Sequence, residues 1–345
     1  MKRNNKRHSI VLYALVMICL ILDSKIVVTG ASEGLKLCMN SVVPSLFPFL
    51  LVSLLLNNAL SGIKINFLHP IGRIWGIPKG AESLLLLGLV GGYPVGAHCI
   101  NEAYRTSNLD KQTAHRLMGF CGNAGPAFLF GMMSSLFTET KVIWYLWFIH
   151  ILSALIVGLI LPTRTNNSCS INDPNPITLS EALRKSICTM GEICSWVIIF
   201  RVLLAFLQKW FLLFLSEECR IILSGFLELT NGCHLLYKLP NEGLRFILGS
   251  CFLSFGGICV LTQTVGVTKD VGIGMYFPGK LLQTSFSFLL ASSMQHLILS
   301  SSERYRVAGS VIGVVLLSTV VLVLYLYRKK VVAFRRNLLY NTGKI

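Results

Sequence analysis

Apolar runs close to the length of a transmembrane helix recur from one end of this chain to the other. They lie over 10–22 and near 46–60, 83–101, 117–137, 142–161, 193–215, 220–237, 246–267, 281–299 and 308–327. A bilayer-spanning helix needs about 20 mostly apolar residues. The pattern therefore requires an all-α, polytopic membrane domain of about 8–10 spans. Composition agrees: 53% of the 345 residues are hydrophobic and only 13% charged, where a soluble domain carries about 25% charged residues. That deficit excludes a soluble enzyme, a secreted disulfide scaffold and a disordered chain. The formal net charge of +16 does not indicate a nucleic-acid partner, because most of the chain has no hydrated face on which to present it.

The eleven cysteines are spread singly, with no Cys-x-x-Cys pair and no Cys/His cluster. Zinc and iron–sulfur sites use such clusters. No metal or other cofactor is expected, and the thiols read as small apolar packing residues. The N-terminus imitates a signal peptide: Lys2, Arg3, Lys6 and Arg7 precede the first apolar run, and Gly30 and Ala31 follow it. Asp23 and Lys25 interrupt the region ahead of any cleavage site. The expectation is an uncleaved anchor over 1–30 with a basic cytoplasmic flank.

The longest polar gap, 163–178, holds four asparagines and two prolines, a linker composition. It separates two stretches, 31–162 and 179–300, which a last span and a basic tail follow over 301–345. Three matches between the stretches come in the same order. Ser32-Glu33-Gly34-Leu35-Lys36 reads like Ser180-Glu181-Ala182-Leu183-Arg184, each followed by a breaker (Pro44 or Gly191) and an apolar helix. LLGLVGGYPVGA aligns with ILSGFLELTNGC. GFCGNAGPAF aligns with SCFLSFGGIC, setting Ala124-Gly125 opposite Gly256-Gly257. Shared order and matching breakers indicate an internal duplication.

A helix break in lipid exposes N–H and C=O groups at several kcal/mol each unless protein or water satisfies them. Breaks are tolerated where they line a cavity, and Gly/Pro-interrupted segments in two halves point to a transporter binding site. Pro94 and Pro126 make GGYPVG and GNAGP real breaks, whereas a lone glycine usually packs helices together. The expected topology takes 32–60 and 180–207 as re-entrant hairpins with three spans between them. Three is odd, so the second half is inverted. The N-terminal cluster, Arg105/Lys111/Arg116, Arg164/Arg184/Lys185 and the 328–336 tail then share the cytoplasmic side, as the positive-inside rule asks. Lys64, Arg73 and Lys79 fall opposite. A ten-span arrangement with parallel halves also keeps both termini inside and stays open.

GLVGGYPVGAHCINEAY, FCGNAGPAFLFG, VVPSLFPFLL, GFLELTNG and SFGGICVLTQ resemble the sporulation integral membrane protein YlbJ family over about residues 10–325. The sequence departs from the family pattern at Gly122-Asn123-Ala124, where Asn-Asn or Asn-Ser is commoner, and at Ile258-Cys259-Val260. The resemblance implies a nucleoside-recognition or Gate domain, of the kind seen in spore maturation proteins and related to gates of concentrative nucleoside carriers. It also implies a mother-cell role in endospore formation, with transport of dipicolinic acid across the outer forespore membrane.

Such a dianion needs backbone N–H groups, helix N-termini or cations in place of water. The breaks at Gly92-Tyr93-Pro94 and Asn123 to Gly125-Pro126 can offer N–H groups, Asn123 a side-chain donor, and Tyr93 a stacking ring or a packing aromatic. Arg201, inside WVIIFRVLL, either meets the solute or pairs with Glu192 or Glu228. Glu228, beside Thr230 and Asn231, is a candidate for a coupling proton or ion, or for neutralising Arg201. Gly256, Gly257 and Gln263 belong to the second-half break. His98 and Glu102 share a helix face, as an ion relay or an interfacial pair; His296 with Gln295 is a weaker candidate. No nucleophile–base set and no phosphate-binding loop occurs, so an enzyme is not expected.

The reading is a carrier of a small anionic solute, working by alternating access between two inverted halves. Its expected partners are that solute, the bilayer, and either a second copy of the chain or other sporulation membrane proteins. Two rivals stay open: a nucleoside-like carrier using neutral polar contacts, and a non-transport scaffold for spore envelope assembly.

Overall fold

A computed structural model describes residues 2–60, 69–106, 109–161, 177–300 and 304–342. Lys64, Arg164 and the polar linker up to residue 176 lie outside the described residues, as do the side chains of the 328–336 tail. Every regular element among the described residues is helical.

The chain opens on α1 (Lys2–Leu22) and α2 (Ser24–Leu37). A π-helical turn, Cys38–Val42, joins α2 to α3 (Val43–Leu60) in one long rod. Pro44 has no N–H, and in an α-helix its ring would strike the carbonyl of Asn40; the wider π turn just before it accommodates the ring. Next come α4 (His69–Ile74), α5 (Glu82–Val90), α6 (Val95–Thr106), α7 (Lys111–Met118), α8 (Pro126–Met133) and α9 (Lys141–Ile160). Beyond the linker stand α10 (Leu179–Trp210), α11 (Glu217–Leu227), α12 (Leu229–Leu235), α13 (Glu242–Phe255), α14 (Gly257–Val267), α15 (Tyr276–Ile298) and α16 (Gly309–Thr342).

Five stretches are long and apolar enough to cross a bilayer: Ser24–Leu56, Lys141–Ile160, Leu179–Trp210, Glu242–Val267 and Gly309–Tyr327. Large apolar side chains such as Phe49, Phe148, Ile199 and Leu324 stand exposed on them, as a lipid-facing surface requires. The protein is an all-α polytopic membrane protein.

The re-entrant hairpins are not where the sequence suggested. Gly191 does not break α10, and 24–60 is one rod, so neither 32–60 nor 180–207 turns back. Glu181 instead closes a capping box with Thr178 at the start of α10, whereas its sequence match Glu33 lies inside α2. The chain reverses at α5–α6: a Cβ on Gly96 would stand 3.0 Å from Gly88 Cα, where eight residues of continuous helix would separate them by about 12 Å. It reverses again at α11–α12, where a Cβ on Gly232 would stand 2.1 Å from Gly225 Cα. Side chains would block both reversals.

The segments after the hairpins are helices interrupted partway. Asp110 caps α7 by accepting from the N–H groups of Gln112 and Thr113. Asn241 caps α13 by accepting from that of Leu244. Gly125 caps α8 and Gly256 caps α14. The cap pairs 110/241 and 125/256 share one offset, so Gly125 corresponds to Gly256, one place on from the pairing read in the sequence.

Each half thus holds a long helix, a re-entrant hairpin, an interrupted helix and a second long helix. The second half is inverted relative to the first, through different hairpins from those expected, because the long helices that open the two halves run antiparallel. Contacts between the long helices agree: Gly30 faces Val202 and Ala205, Gly34 faces Ile198 and Arg201, and Cys38 Sγ lies 3.8 Å from the Cys194 carbonyl. The rod 24–60 and α10 run antiparallel.

Candidate functional site

The two hairpin tips and the two interruptions meet. Gly92, with φ +79°, touches Gly125: a Cβ on Gly125 would lie 3.0 Å from Gly92 Cα. A Cβ on Gly257 would lie 3.0 Å from the Leu229 nitrogen and 3.4 Å from Glu228 Cα. Each tip therefore sits backbone to backbone on the interruption of its own half. Tyr93, ahead of a cis Pro94, crosses between halves, with its ring 3.1 Å from where a Gly256 Cβ would stand.

Freed backbone groups find partners, as burial demands. Tyr93 Oη donates to the Leu253 carbonyl at 3.1 Å, near the end of α13. Asn123 Nδ2 donates to the carbonyls of Gly88 at 3.1 Å and Phe120 at 2.7 Å. Its amide donors are committed to backbone, so Asn123 ties the first tip to the first interruption. Glu228, 1% exposed, caps α12: its carboxylate accepts from the N–H of Thr230 at 2.9 Å, and from the N–H and Nδ2 of Asn231 at 2.6 and 2.9 Å. No side chain caps α8 or α14.

A small, partly open cavity of about 40 Å³ lies between these parts, lined by Tyr93, Ala124, Gly125, Glu228, Thr230 and Gln263 among others. That is room for a few waters. Pro126 is the first residue of α8, and Gln263 Nε2 lies 3.4 Å from Cys259 Sγ. Of the residues singled out in the sequence, Gly92, Tyr93, Pro94, Asn123, Gly125, Pro126, Glu228, Asn231, Gly256, Gly257 and Gln263 fall on the two tips and the interrupted helices.

Arg201 does not. It donates to Glu33 on α2, not to Glu192 or Glu228, and does not line the cavity. Glu102 pairs with Arg105 at 2.7 Å while His98 is exposed. Gln295 instead binds the backbone of Tyr305.

The structure adds three residues that sequence reasoning missed. Lys280, 1% exposed, donates to Gln283 Oε1 at 2.6 Å and to Tyr93 Oη at 3.0 Å. Gln283 Nε2 donates to Asn123 Oδ1 at 2.9 Å and to the His150 carbonyl at 3.2 Å. His150 Nε2 accepts from the Ala124 N–H at 3.1 Å. An acceptor Nε2 places the proton of a neutral imidazole on Nδ1, which faces Ser254 Oγ at 3.3 Å. Lys280, Gln283, Ser287 and Gln295 form a buried polar stripe at helical spacing on α15; that stripe was the available signal. Among the described residues no group of three His, Cys, Asp or Glu is placed to hold a metal ion.

Paired re-entrant tips on paired helix interruptions, carried by antiparallel long helices, define a polytopic helical membrane protein with two inverted halves and a polar centre. The chain is 25% identical, over 304 aligned residues covering 74% of each protein, to the sporulation integral membrane protein YlbJ of Bacillus subtilis (strain 168). This similarity supports the YlbJ-like family resemblance seen in the sequence. No family model matches the chain, and no solved structure matches it.

Proposed function

We propose that this chain is a sporulation membrane protein that carries a small anionic solute, dipicolinate, across the outer forespore membrane by alternating access. The sporulation setting is carried over from its Bacillus subtilis relative. The transport reading rests on one observation: two hairpin tips abut two helix interruptions around a shared cavity, in halves that run antiparallel. Discontinuous helices in inverted halves are the architecture in which one half rocks against the other around a fixed site. The starts of α8 and α14, which have no side-chain cap, favour an anion, because helix N-termini carry partial positive charge. At about 40 Å³ the cavity holds only a few waters, and in this reading the tips separate to admit solute.

The test is uptake by the purified protein in liposomes under defined gradients. Dipicolinate accumulation supports the proposal. Nucleoside uptake in its place supports the nucleoside-like carrier, and uptake of neither supports a scaffold.

A further inference from the structure

Lys280 carries a buried amino group, a cation when protonated, surrounded by neutral acceptors. Its Nζ reaches Gln283 Oε1 at 2.6 Å, Tyr93 Oη at 3.0 Å and Asn123 Oδ1 at 3.5 Å. The ion pairs among the described residues do not include it. The carboxylate at the cavity, Glu228, has its oxygens committed to Thr230 and Asn231. Removing an ammonium from water is expensive, and inside a membrane such a group marks a solute or ion path.

Tyr93 stands between this cation and the cavity. Its ring lines the cavity, its centroid is 5.0 Å from Lys280 Nζ, and its oxygen accepts from that Nζ. Lys280 belongs to α15, a long helix, whereas Tyr93 rides on a hairpin tip between two short helices. The tip is the part that separation of the halves displaces.

We propose that Lys280 binds a carboxylate of the carried solute, and that the Tyr93 hydroxyl holds that carboxylate's place while the first hairpin tip is closed. The inference rests on the transport reading above. When the tip withdraws, Tyr93 Oη leaves Nζ, the Leu253 carbonyl turns to water in the widened cavity, and Lys280 joins the cavity. An entering carboxylate then accepts a charge-assisted bond stronger than the phenol's. Gln283 and Asn123 remain as neutral partners that hold the ammonium in position.

The test is calorimetric binding of pyridine-2,6-dicarboxylate, and of the neutral pyridine-2,6-dimethanol, to the full chain in lipid nanodiscs. Wild type should bind the dicarboxylate and not the diol. Lys280→Gln should weaken dicarboxylate binding about tenfold or more, while Lys280→Arg retains most of it. Tyr93→Phe should bind the dicarboxylate more tightly than wild type, because the competing acceptor is gone. Undiminished affinity in Lys280→Gln overturns the assignment and leaves the transport reading standing. Wild type that binds no small carboxylate overturns the anion-carrier reading itself. Should Lys280→Gln fail to fold, Tyr93→Phe decides: unchanged or weaker binding sinks the placeholder role.

Discussion

Arg201 of α10 donates to Glu33 of α2, and this pair ties together the antiparallel long helices of the two halves. Their overlap runs from Lys209 on Asp23 to the Ile177 nitrogen on Asn58, so its middle falls near Asn40 and Ile193. Arg201 is then about 12 Å from that middle at 1.5 Å per residue, close to the edge of a hydrocarbon core about 30 Å thick. A long side chain there can reach the interface. The charge that stands out in the sequence is a fastening between halves. Arg201→Gln should cost about 1 kcal/mol or less in unfolding experiments and leave dipicolinate affinity unchanged. Loss of affinity at normal stability would return Arg201 to the binding site.

The hairpins make a sharper prediction. A Cβ on Gly96 would stand 2.1 Å from the Cys121 carbonyl oxygen, and one on Gly232 would stand 2.1 Å from Gly225 Cα. Both neighbours are backbone and cannot move aside cheaply. Gly96→Ala and Gly232→Ala should each destabilise by about 3 kcal/mol, the upper end for an overpacked site. Gly191 has nothing within 4 Å and lies inside α10, so Gly191→Ala should stabilise by about 0.5–1 kcal/mol. Thermal unfolding in one detergent compares all three. Equal effects at positions 191 and 232 would mean that α11 and α12 do not close on each other.

Where the breaks fall was legible in the sequence, because Pro94, Pro126 and the glycine pair at 256–257 each leave a local chemical mark. What a break does was not. A chain that reverses and one that runs on carry the same Gly/Pro signal. The difference is the contact of Gly88 with Gly96, or of Gly225 with Gly232, made only once the fold exists. Pro44 illustrates the converse: a residue read as a breaker is absorbed by one π turn. Arg201 was visible because charge is rare in its surroundings, but Glu33 lies 168 positions away. Lys280 was passed over because it immediately precedes the 281–299 run, where a lysine reads as an interfacial flank.

Glu228 caps a helix inside the protein, and that role predicts how substitutions rank. Glutamine keeps one oxygen for the Thr230 and Asn231 donors, whereas alanine leaves three donors unmatched. Glu228→Ala should lose about 2 kcal/mol or more, and Glu228→Gln about half as much. Unfolding midpoints of the two variants check this order. Glu228→Gln matching wild type in stability while losing solute uptake would instead identify a coupling role for the carboxylate.

Asp110 and Asn241 cap the corresponding interrupted helices of the two halves, and inversion sends those helix starts to opposite membrane faces. Lys111 and Pro240 are exposed beside them. In a cysteine-free background, Lys111→Cys and Pro240→Cys should therefore react with a membrane-impermeant thiol reagent from opposite sides. The positive-inside rule assigns Lys111, with Arg105 and Arg116 near it, to the cytoplasmic side, so in intact cells only Pro240→Cys should label. Labelling of both from one side would mean that the halves run parallel. The antiparallel packing of Gly30 and Gly34 on α10 argues against that outcome, because the corresponding long helices of parallel halves would run the same way.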